Sequence, residues 1–198
     1  FEACEYVESF LHFHPYLSVI TNVEEDHLDY FSNLQHIISA FEKFAMLNSP
    51  NGCIIVCSDD KNAMEVVQNI EKRIIKYGVN SKNNDFFADN IHISDDEFTE
   101  FDVYAFGKPF INLKLNVHGE HNVRNALGAI AAAYEIGIDA EHIKSGLESF
   151  IGTKRRFEKL GEVNGFTVID DYAHHPTEIA STLKAAKDIA HGDVWCIF

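Results

Sequence analysis

The chain has 198 residues, enough for one large domain or for one domain and part of another. Its hydrophobic content of 46% and charged content of 24% are typical of globular proteins, and no apolar run approaches the length of a membrane span, so we expect no membrane insertion. The formal net charge of -15 argues against a nucleic-acid partner, which needs clustered Lys and Arg, but it does not exclude a nucleotide neutralised by Mg²⁺.

An acidic segment follows the first predicted strand, the β-branched apolar run at 17–22. Within six residues it contains four carboxylates and a histidine: Glu24, Glu25, Asp26, His27 and Asp29. Such a segment is typical of a solvated loop before a helix, because acidic residues favour helix N-termini, and equally of a site for a divalent metal ion and phosphate. The local pattern leaves both interpretations open.

Helices and strands then alternate along the chain. A stripe of apolar residues at helical spacing predicts a helix at 34–45, which turn residues at 48–52 end. A buried strand at 53–57, a helix of about ten residues from Asn62 and a strand at 74–77 follow. This order predicts an α/β fold with a mainly parallel sheet flanked by helices.

The pattern changes between residues 86 and 117, where no helical stripe occurs. Short alternating segments at 88–93, 101–106 and 111–117 are separated by turn residues. They predict antiparallel strands at an edge of the sheet, with a structural role.

A helix is predicted again at 119–137, with a second helix at 140–150 behind it. Asn122 and Asn125 lie one turn apart near the start of the first helix, so their side chains project from one side. Two carboxamides placed in this way can bind the donors and acceptors of an uncharged heterocycle. They can also cap the helix, although capping accounts comfortably for only one of them.

A basic cluster at 154–156 stands out in this acidic chain. It is either a solvated linker or a clamp for phosphate. The residues after it begin a new pair of strands with Gly165 at the turn. We therefore place a domain boundary near Gly152, with a first domain at 1–152 and the start of a second at 153–198.

The segment at 166–178 combines a predicted buried strand with a polar loop and a helix that Pro176 opens. The loop gathers five titratable or aromatic side chains at the carboxyl end of the strand: Asp170, Asp171, Tyr172, His174 and His175. Open α/β sheets bind their ligands at such strand ends, so we expect chemistry here, against the simpler interpretation of a helix cap and surface histidines. A last strand is predicted at 194–198.

Four separated motifs, in this order and at compatible intervals, resemble the Mur ligases. They are EACEY at 2–6, TNVEEDHLDYF at 21–31, EHNVRNAL at 120–127, and the pair RRFE and DDYAHHPTE within 155–178. The doubled histidine, with EACEY and RRFE, is most similar to the branch of the family that joins L-alanine to UDP-N-acetylmuramate. Later-acting Mur ligases and folylpolyglutamate synthases share the general plan but not this combination.

The resemblance implies an ATP-dependent ligase of peptidoglycan precursor synthesis. It also implies a central domain like that of P-loop NTPases, followed by the start of a Rossmann-like C-terminal domain. The muramoyl carboxylate would attack the γ-phosphate of ATP to give an acyl phosphate, from which the amine of L-alanine displaces phosphate. Such chemistry depends on positioning and on charge neutralisation by Mg²⁺ and cationic side chains.

The resemblance implies roles for individual residues of the first domain. Glu2 and His27 are similar to the family's Mg²⁺ contacts, with Glu2 as the direct ligand of the nucleotide-bound ion. His27 is expected to be a catalytic group beside a second ion, held largely by water and substrate. Asn122 and Asn125 match the family's pair at the adenine.

Four further residues complete the site that the resemblance implies. Arg156, on the linker after the last helix of the first domain, and Asp171, on the incoming second domain, match interdomain contacts to ATP and are expected to act as catalytic groups from opposite sides when the two domains close around the nucleotide. Tyr172 and His174 lie where the C-terminal domain meets the nucleotide and the amino acid.

The chain also departs from the family's pattern. It has no glycine-rich loop ending in Gly-Lys-Ser/Thr, and it lacks the domain that grips the UDP moiety and most of the C-terminal domain. Because it also begins without Met and stops inside an apolar run, we expect an excerpt of a longer protein, inactive by itself. Lys43 lies near the position of a carbamoylated lysine in related enzymes, but this branch is not expected to rely on it.

Two other functions compete with the ligase. Adjacent histidines and carboxylates can build the dinuclear site of a metal-dependent hydrolase, although the asparagine pair and the basic cluster have no role in that scheme. The other is a nucleotide-binding module without turnover.

The four cysteines lack zinc-site spacing and mostly lie in apolar runs. This usage predicts reduced, buried thiols in a cytoplasmic protein.

Overall fold

A computed structural model of the chain describes residues 2–197, which form two β-sheets. The larger sheet has six strands that lie side by side in the order of the sequence. They are β1 (Leu17–Ile20), β2 (Cys53–Cys57), β3 (Ile74–Gly78), β4 (Phe86–Ile93), β5 (Thr99–Ala105) and β6 (Lys108–Leu115). Strands β1 to β4 run parallel, whereas β5 and β6 are antiparallel. The predicted mainly parallel sheet with antiparallel edge strands is confirmed.

Helices cover both faces of this sheet. A 3₁₀ segment (Tyr6–His12), α1 (Leu34–Met46) and α2 (Lys61–Val67) pack on one face, and α3 (Glu120–Glu135) and α4 (Ala140–Glu148) pack on the other. Strand β2 contributes to both cores, with Ile54 and Val56 on the first face and Cys53, Ile55 and Cys57 on the second. Because alternate side chains of a strand point to opposite faces, a central parallel strand needs a continuous apolar run.

Side-chain caps determine where the helices begin. The side chain of Asn33 accepts a hydrogen bond from the backbone N–H of His36 at 2.9 Å, and Asp60 accepts one from Ala63 at 2.7 Å. Such caps satisfy N–H groups that have no partner within the helix. Helix α2 has seven residues, fewer than expected, and it ends at Val67, where its buried stripe also ends.

The C-terminal part consists of β7 (Glu158–Val163), β8 (Phe166–Asp170) and α5 (Pro176–Ile189). Strands β7 and β8 pair antiparallel, and Asn164 and Gly165 between them both have positive φ, as a tight hairpin turn requires. Pro176 is the first residue of α5, as predicted. The two sheets share no strand pair among the described residues, and the domain division at 1–152 and 153–198 stays a prediction.

Two predictions for this part are wrong. Strand β8 is not buried: Phe166 is 67% exposed and Val168 is 42% exposed, because β7 is its only strand partner within residues 2–197. The residues at 194–197 form no strand, since no other described segment pairs with them. Phe198, the last residue of that predicted strand, lies outside the described residues.

The thiols divide into two groups. Cys53 and Cys57 are buried in β2 as predicted, but Cys4 and Cys196 are exposed because neither lies in a strand or helix that packs on a core. No helix in the described part of the chain combines the length and the apolar character needed to cross a membrane.

Candidate active site

The acidic loop after β1 turns at His27, which has a φ of +51°. Its carbonyl accepts hydrogen bonds from the N–H groups three and four residues further on, both at 2.9 Å. The His27 ring lies beside Tyr6, with ring centroids 4.6 Å apart, and its Nε2 lies 3.5 Å from Glu5 Oε1. The Tyr6 hydroxyl donates to Asp29 at 2.8 Å, and this hydrogen bond raises the pKa of Tyr6. The 3₁₀ segment and the acidic loop thus meet around one histidine.

Glu5 and His27 form a carboxylate–imidazole pair at the acidic loop. Mg²⁺ prefers oxygen ligands and keeps several waters, so a carboxylate with an adjacent imidazole is compatible with such an ion. Glu2, the predicted direct ligand, is exposed and forms no hydrogen bond or ion pair with any described residue. No group of three or more His, Cys, Asp or Glu side chains suited to a metal occurs within residues 2–197. Lys43 forms an ion pair with Glu8 at 2.8 Å instead.

The six-stranded sheet and the helices that cover it form the central part of the chain. Helix α3 begins where this central part faces the C-terminal part. Gly119 precedes it with a φ of +93°, and a Cβ atom there would lie 2.6 Å from the His121 ring and 3.1 Å from Ala185 of α5. Asn122 donates from Nδ2 to the carbonyl four residues earlier at 2.7 Å. Asn125 is exposed, and its side chain forms no hydrogen bond with any described residue. Local structure therefore accounts for the amide group of Asn122 but not for Asn125.

Asp171 fixes the loop after β8. Its carboxylate accepts hydrogen bonds from the backbone N–H groups of Phe157 at 2.8 Å and Ala173 at 2.7 Å. Phe157 follows Arg156, whose guanidinium lies 3.2 Å from Glu178 on α5. Arg156 and Asp171 thus lie on the same side, in the C-terminal part, and are not opposed across two domains as the sequence interpretation assumed.

Tyr172 and His174 extend from the same loop. The Tyr172 N–H donates to the Arg155 carbonyl at 2.7 Å, and the Arg155 guanidinium lies 4.6 Å from the centre of the Tyr172 ring. His174 is 69% exposed, and its Nδ1 lies 3.7 Å from Glu178 Oε2. Desolvation raises the pKa of Glu178, but hydrogen bonds from the His174 N–H and from Arg156 outweigh it, so the pKa lies below its ordinary value. Glu178 therefore stays ionised between the two candidate site residues.

Helix α5 rests on the central part at two places. Near its start, the Thr177 hydroxyl donates to Glu24 Oε2 at 2.6 Å, and His175 Nδ1 lies 3.3 Å from the same oxygen. Further along, Lys184 lies 3.6 Å from Glu120 at the start of α3. These contacts bring three of the four motif segments into one region of the molecule.

Two known domains match the chain. Residues 2–133 match the Mur ligase middle domain, and residues 155–198 match the glutamate ligase domain of Mur ligases. The chain belongs to the Mur ligase family.

This Mur ligase chain is 48% identical over 197 residues to the UDP-N-acetylmuramate--L-alanine ligase of Acetivibrio thermocellus and 47% identical to that of Caldanaerobacter subterraneus subsp. tengcongensis. The two matches cover 100% of the chain but only 42% and 43% of the relatives. The chain thus spans less than half the length of the curated relatives it matches.

Solved structures give the same result for the fold. The chain superimposes on MurF from Acinetobacter baumannii with a TM-score of 0.80 and 26% identity, over 92% of this chain and 39% of that one. It superimposes on the UDP-N-acetylmuramate-alanine ligase MurC from Thermotoga maritima with a TM-score of 0.76 and 32% identity, over 92% of this chain and 40% of that one. The resemblance to the family and the predicted fold class are confirmed.

Several residues of the candidate site in this Mur ligase chain could not be selected from sequence. Glu5 lies in the EACEY motif, but only the structure shows that it, and not Glu2, lies beside His27. Glu178 follows His175 by three residues, which is the spacing of a helix capping box. This spacing is the one sequence signal that could have identified Glu178. Thr177 and Glu24 are 153 positions apart, and no local pattern links them.

Proposed function

We propose that this chain is part of a ligase that joins L-alanine to UDP-N-acetylmuramate, with ATP and Mg²⁺, in peptidoglycan precursor synthesis. The observation that carries the proposal is sequence identity: the chain is 48% identical to one named UDP-N-acetylmuramate--L-alanine ligase and 43% identical to another. Both matches extend over 197 residues and include every motif. The meeting of the acidic loop with the start of α5 supports it, because such a ligase must bring nucleotide, acid and amine together. A reaction that consumes ATP and a UDP-linked precursor belongs in the cytoplasm.

The reaction makes one amide bond at the expense of one phosphoanhydride. An oxygen of the muramoyl carboxylate bonds to the γ-phosphorus as the bond to ADP breaks. The amine of L-alanine then bonds to the acyl carbon and loses a proton, and phosphate leaves. The protein has little covalent chemistry to perform, so its residues act by orienting the reactants and by neutralising charge.

Glu5, just before the 3₁₀ segment, and His27 of the acidic loop would hold Mg²⁺, and the ion would supply positive charge to the phosphates when bound. Glu2 stays the ligand predicted from the sequence. Asn122 and Asn125 bind the adenine in this proposal, and the free side chain of Asn125 supports that assignment.

The loop after β8 supplies the remaining groups. Arg156 places a guanidinium, oriented by Glu178, where it neutralises phosphate. Asp171 keeps this guanidinium in position by holding the backbone beside it. Tyr172 and His174 project from the same loop to contact the nucleotide and the amino acid.

The assay that tests the proposal uses the complete protein with UDP-N-acetylmuramate, ATP, Mg²⁺ and L-alanine, and follows both phosphate release and the amide product by mass spectrometry. L-Alanine should give product, and D-alanyl-D-alanine should not. Glycine and L-serine measure how strict the amino-acid site is. ATP binding without amide formation would overturn the ligase and favour a nucleotide-binding module. The 198-residue chain by itself should be inactive, because it contains no phosphate loop.

Replacement of His27 by Ala tests the acidic loop in the same assay. We expect turnover to fall while the affinity for ATP changes little, because His27 acts on the geometry of the metal and the acyl phosphate. Glu5→Ala should raise the Mg²⁺ concentration needed for half-maximal rate more than Glu2→Ala does. Wild-type turnover in His27→Ala would remove this residue from the site.

A further inference from the structure

Both oxygens of the Glu24 carboxylate have polar partners among the described residues. Its Oε2 accepts a hydrogen bond from the Thr177 hydroxyl at 2.6 Å and lies 3.3 Å from His175 Nδ1. Its Oε1 accepts a longer one from Asn22 Nδ2 at 3.4 Å. The side chains of Glu24 and His175 are each 27% exposed, so both are partly withdrawn from water. A merely solvated acidic loop would not pair one of its carboxylates with a hydroxyl 153 positions away.

The backbone of the acidic loop adds a second contact to the same histidine. His175 Nε2 lies 3.3 Å from the carbonyl of Glu25 and can donate to it, while Nδ1, which lies near Glu24, accepts a hydrogen bond from the Thr177 N–H at 3.4 Å. His175 is also the residue that precedes α5, which fixes the direction in which the helix leaves the loop. The start of α5 is therefore seated on the acidic loop through a side chain and a backbone carbonyl.

We propose that Glu24 is a positioning residue that docks the start of α5 onto the acidic loop through Thr177 and His175. Glu24 stands three positions before His27, and Thr177 stands three positions after His174. The contact thus holds the loop that carries His27 against the loop that carries Asp171 to His174. Its consequence for catalysis rests on the proposed ligase function, whereas the docking itself does not.

Hydrogen exchange of backbone amides in the complete protein measures the docking without any assay of activity. Glu24→Ala and Thr177→Val should each speed exchange about 5- to 30-fold at 21–27 and 172–179, as loss of one or two hydrogen bonds implies. The double variant should exchange no faster than the faster single variant, because both changes break one contact. Thr177→Ser keeps the hydroxyl and should restore slow exchange.

The chain offers a matched control for each change. Thr182→Val makes the same replacement in the same helix at a hydroxyl that bonds to no described residue, and it should leave exchange at the junction unchanged. Glu71→Ala removes one negative charge from an exposed position outside the junction, and it controls for the effect of net charge. Equal exchange in Glu24→Ala and wild type, or additive effects in the double variant, would overturn the docking.

Enzyme kinetics distinguish a positioning role from a metal ligand. In Glu24→Ala and Thr177→Val we expect kcat to fall to a similar extent, with the half-saturating Mg²⁺ concentration unchanged. A raised Mg²⁺ requirement in Glu24→Ala with wild-type kinetics in Thr177→Val would show that Glu24 binds metal, and the proposal would be wrong. If the wild-type protein has no ligase activity but the exchange cycle shows coupling, the docking is supported and the proposed function fails.

Discussion

The central part and the C-terminal part of the chain are stabilised in different ways. In the central part, all five residues of β2 are buried and belong to two apolar cores. In the C-terminal part, β7 and β8 have no buried side chain, and Ala185 on α5 is the one buried residue among those described from 153 to 197. One part is held by apolar packing on both faces of a sheet, and the other by polar contacts.

The polar contacts of the C-terminal part lie at its border with the central part. They are hydrogen bonds and ion pairs between partly exposed groups, such as those of Glu24 with Thr177 and of Lys184 with Glu120. Exposed ion pairs contribute about 0.2 to 1 kcal/mol each, far less than a buried apolar side chain. The border is therefore the region that opens most easily, and it is also where the candidate site residues lie.

The largest effect is expected at Asp171 and Arg156, where polar contacts alone hold the site. Each carboxylate oxygen of Asp171 accepts a hydrogen bond from one backbone N–H group. Asp171→Asn replaces one of these oxygens with an NH₂ group, which cannot accept that hydrogen bond. We expect this change and Arg156→Ala each to lower kcat/KM for amide formation by about 100-fold in the complete protein. Their combined effect should be less than additive, because the Asp171 carboxylate binds the residue next to Arg156. Strictly additive losses would show that the two side chains act independently.

A matched pair of truncations tests the comparison of the two parts directly. Val56 on β2 is 0% exposed, whereas Val168 on β8 is 42% exposed. Val56→Ala should lower the free energy of unfolding by about 2 kcal/mol through lost burial and the cavity that remains. Val168→Ala should lower it by less than about 0.5 kcal/mol. Urea denaturation followed by circular dichroism measures both, and equal losses would contradict the division into an apolar and a polar part.

The same difference explains which elements could be predicted. The ends of β2 were predicted correctly because a strand buried on both faces is a continuous apolar run with polar neighbours. The apolar run of β8 has a similar composition but an exposed environment, since burial depends on what packs against a strand and not on its own residues. Sequence therefore predicted the strand but not its burial.

The candidate site could be predicted segment by segment, but its pairings could not. Each loop is dense in polar residues at a strand end, which the sequence shows directly. The contact of His27 with Glu5 depends on a positive φ at His27 and on the path of a 3₁₀ segment, and neither leaves a sequence signal. The approach of Asp171 to the residue after Arg156 depends on the hairpin register between them.

Asn122 and Asn125 lie near the border, and replacing each of them distinguishes an effect on ATP binding from an effect on stability. Asn125→Ala should weaken ATP binding about fivefold or more, roughly 1 kcal/mol, with no change in the melting temperature, because the Asn125 side chain bonds to no described residue. Asn122→Ala should weaken ATP binding and also lower the melting temperature, since its amide group bonds to a backbone carbonyl. Calorimetric titration with ATP and thermal unfolding measure the two effects. Wild-type ATP affinity in both variants would exclude the pair from the adenine site.

The smallest effect is expected from His121, which lies at the border between Gly119 and α5. Burial lowers the pKa of His121 below its ordinary value near 6.5, and Arg124 lowers it further, whereas Asp171 raises it. Above about pH 6.5 the ring is neutral in both the folded and the unfolded chain and does not affect stability. As the pH falls through this value, the unfolded chain binds a proton first, so the free energy of unfolding decreases until the pH passes the folded pKa.

Replacement of His121 by Gln should therefore reduce the loss of stability between pH 7 and pH 5.5. The measurement is the urea midpoint of wild type and variant at several pH values in this range.

His118→Gln provides a comparison. Burial lowers the pKa of His118 too, but its ring packs near Phe157, before β7, instead of against α5. If protonation of His121 opens the border, the variant should also slow amide exchange at 172–179 at pH 5.5, and His118→Gln should do so less. If the urea midpoint depends on pH in the same way in wild type and His121→Gln, this histidine takes up its proton equally in the folded and unfolded chains. Burial of the His121 ring would then contribute nothing to the pH dependence of stability.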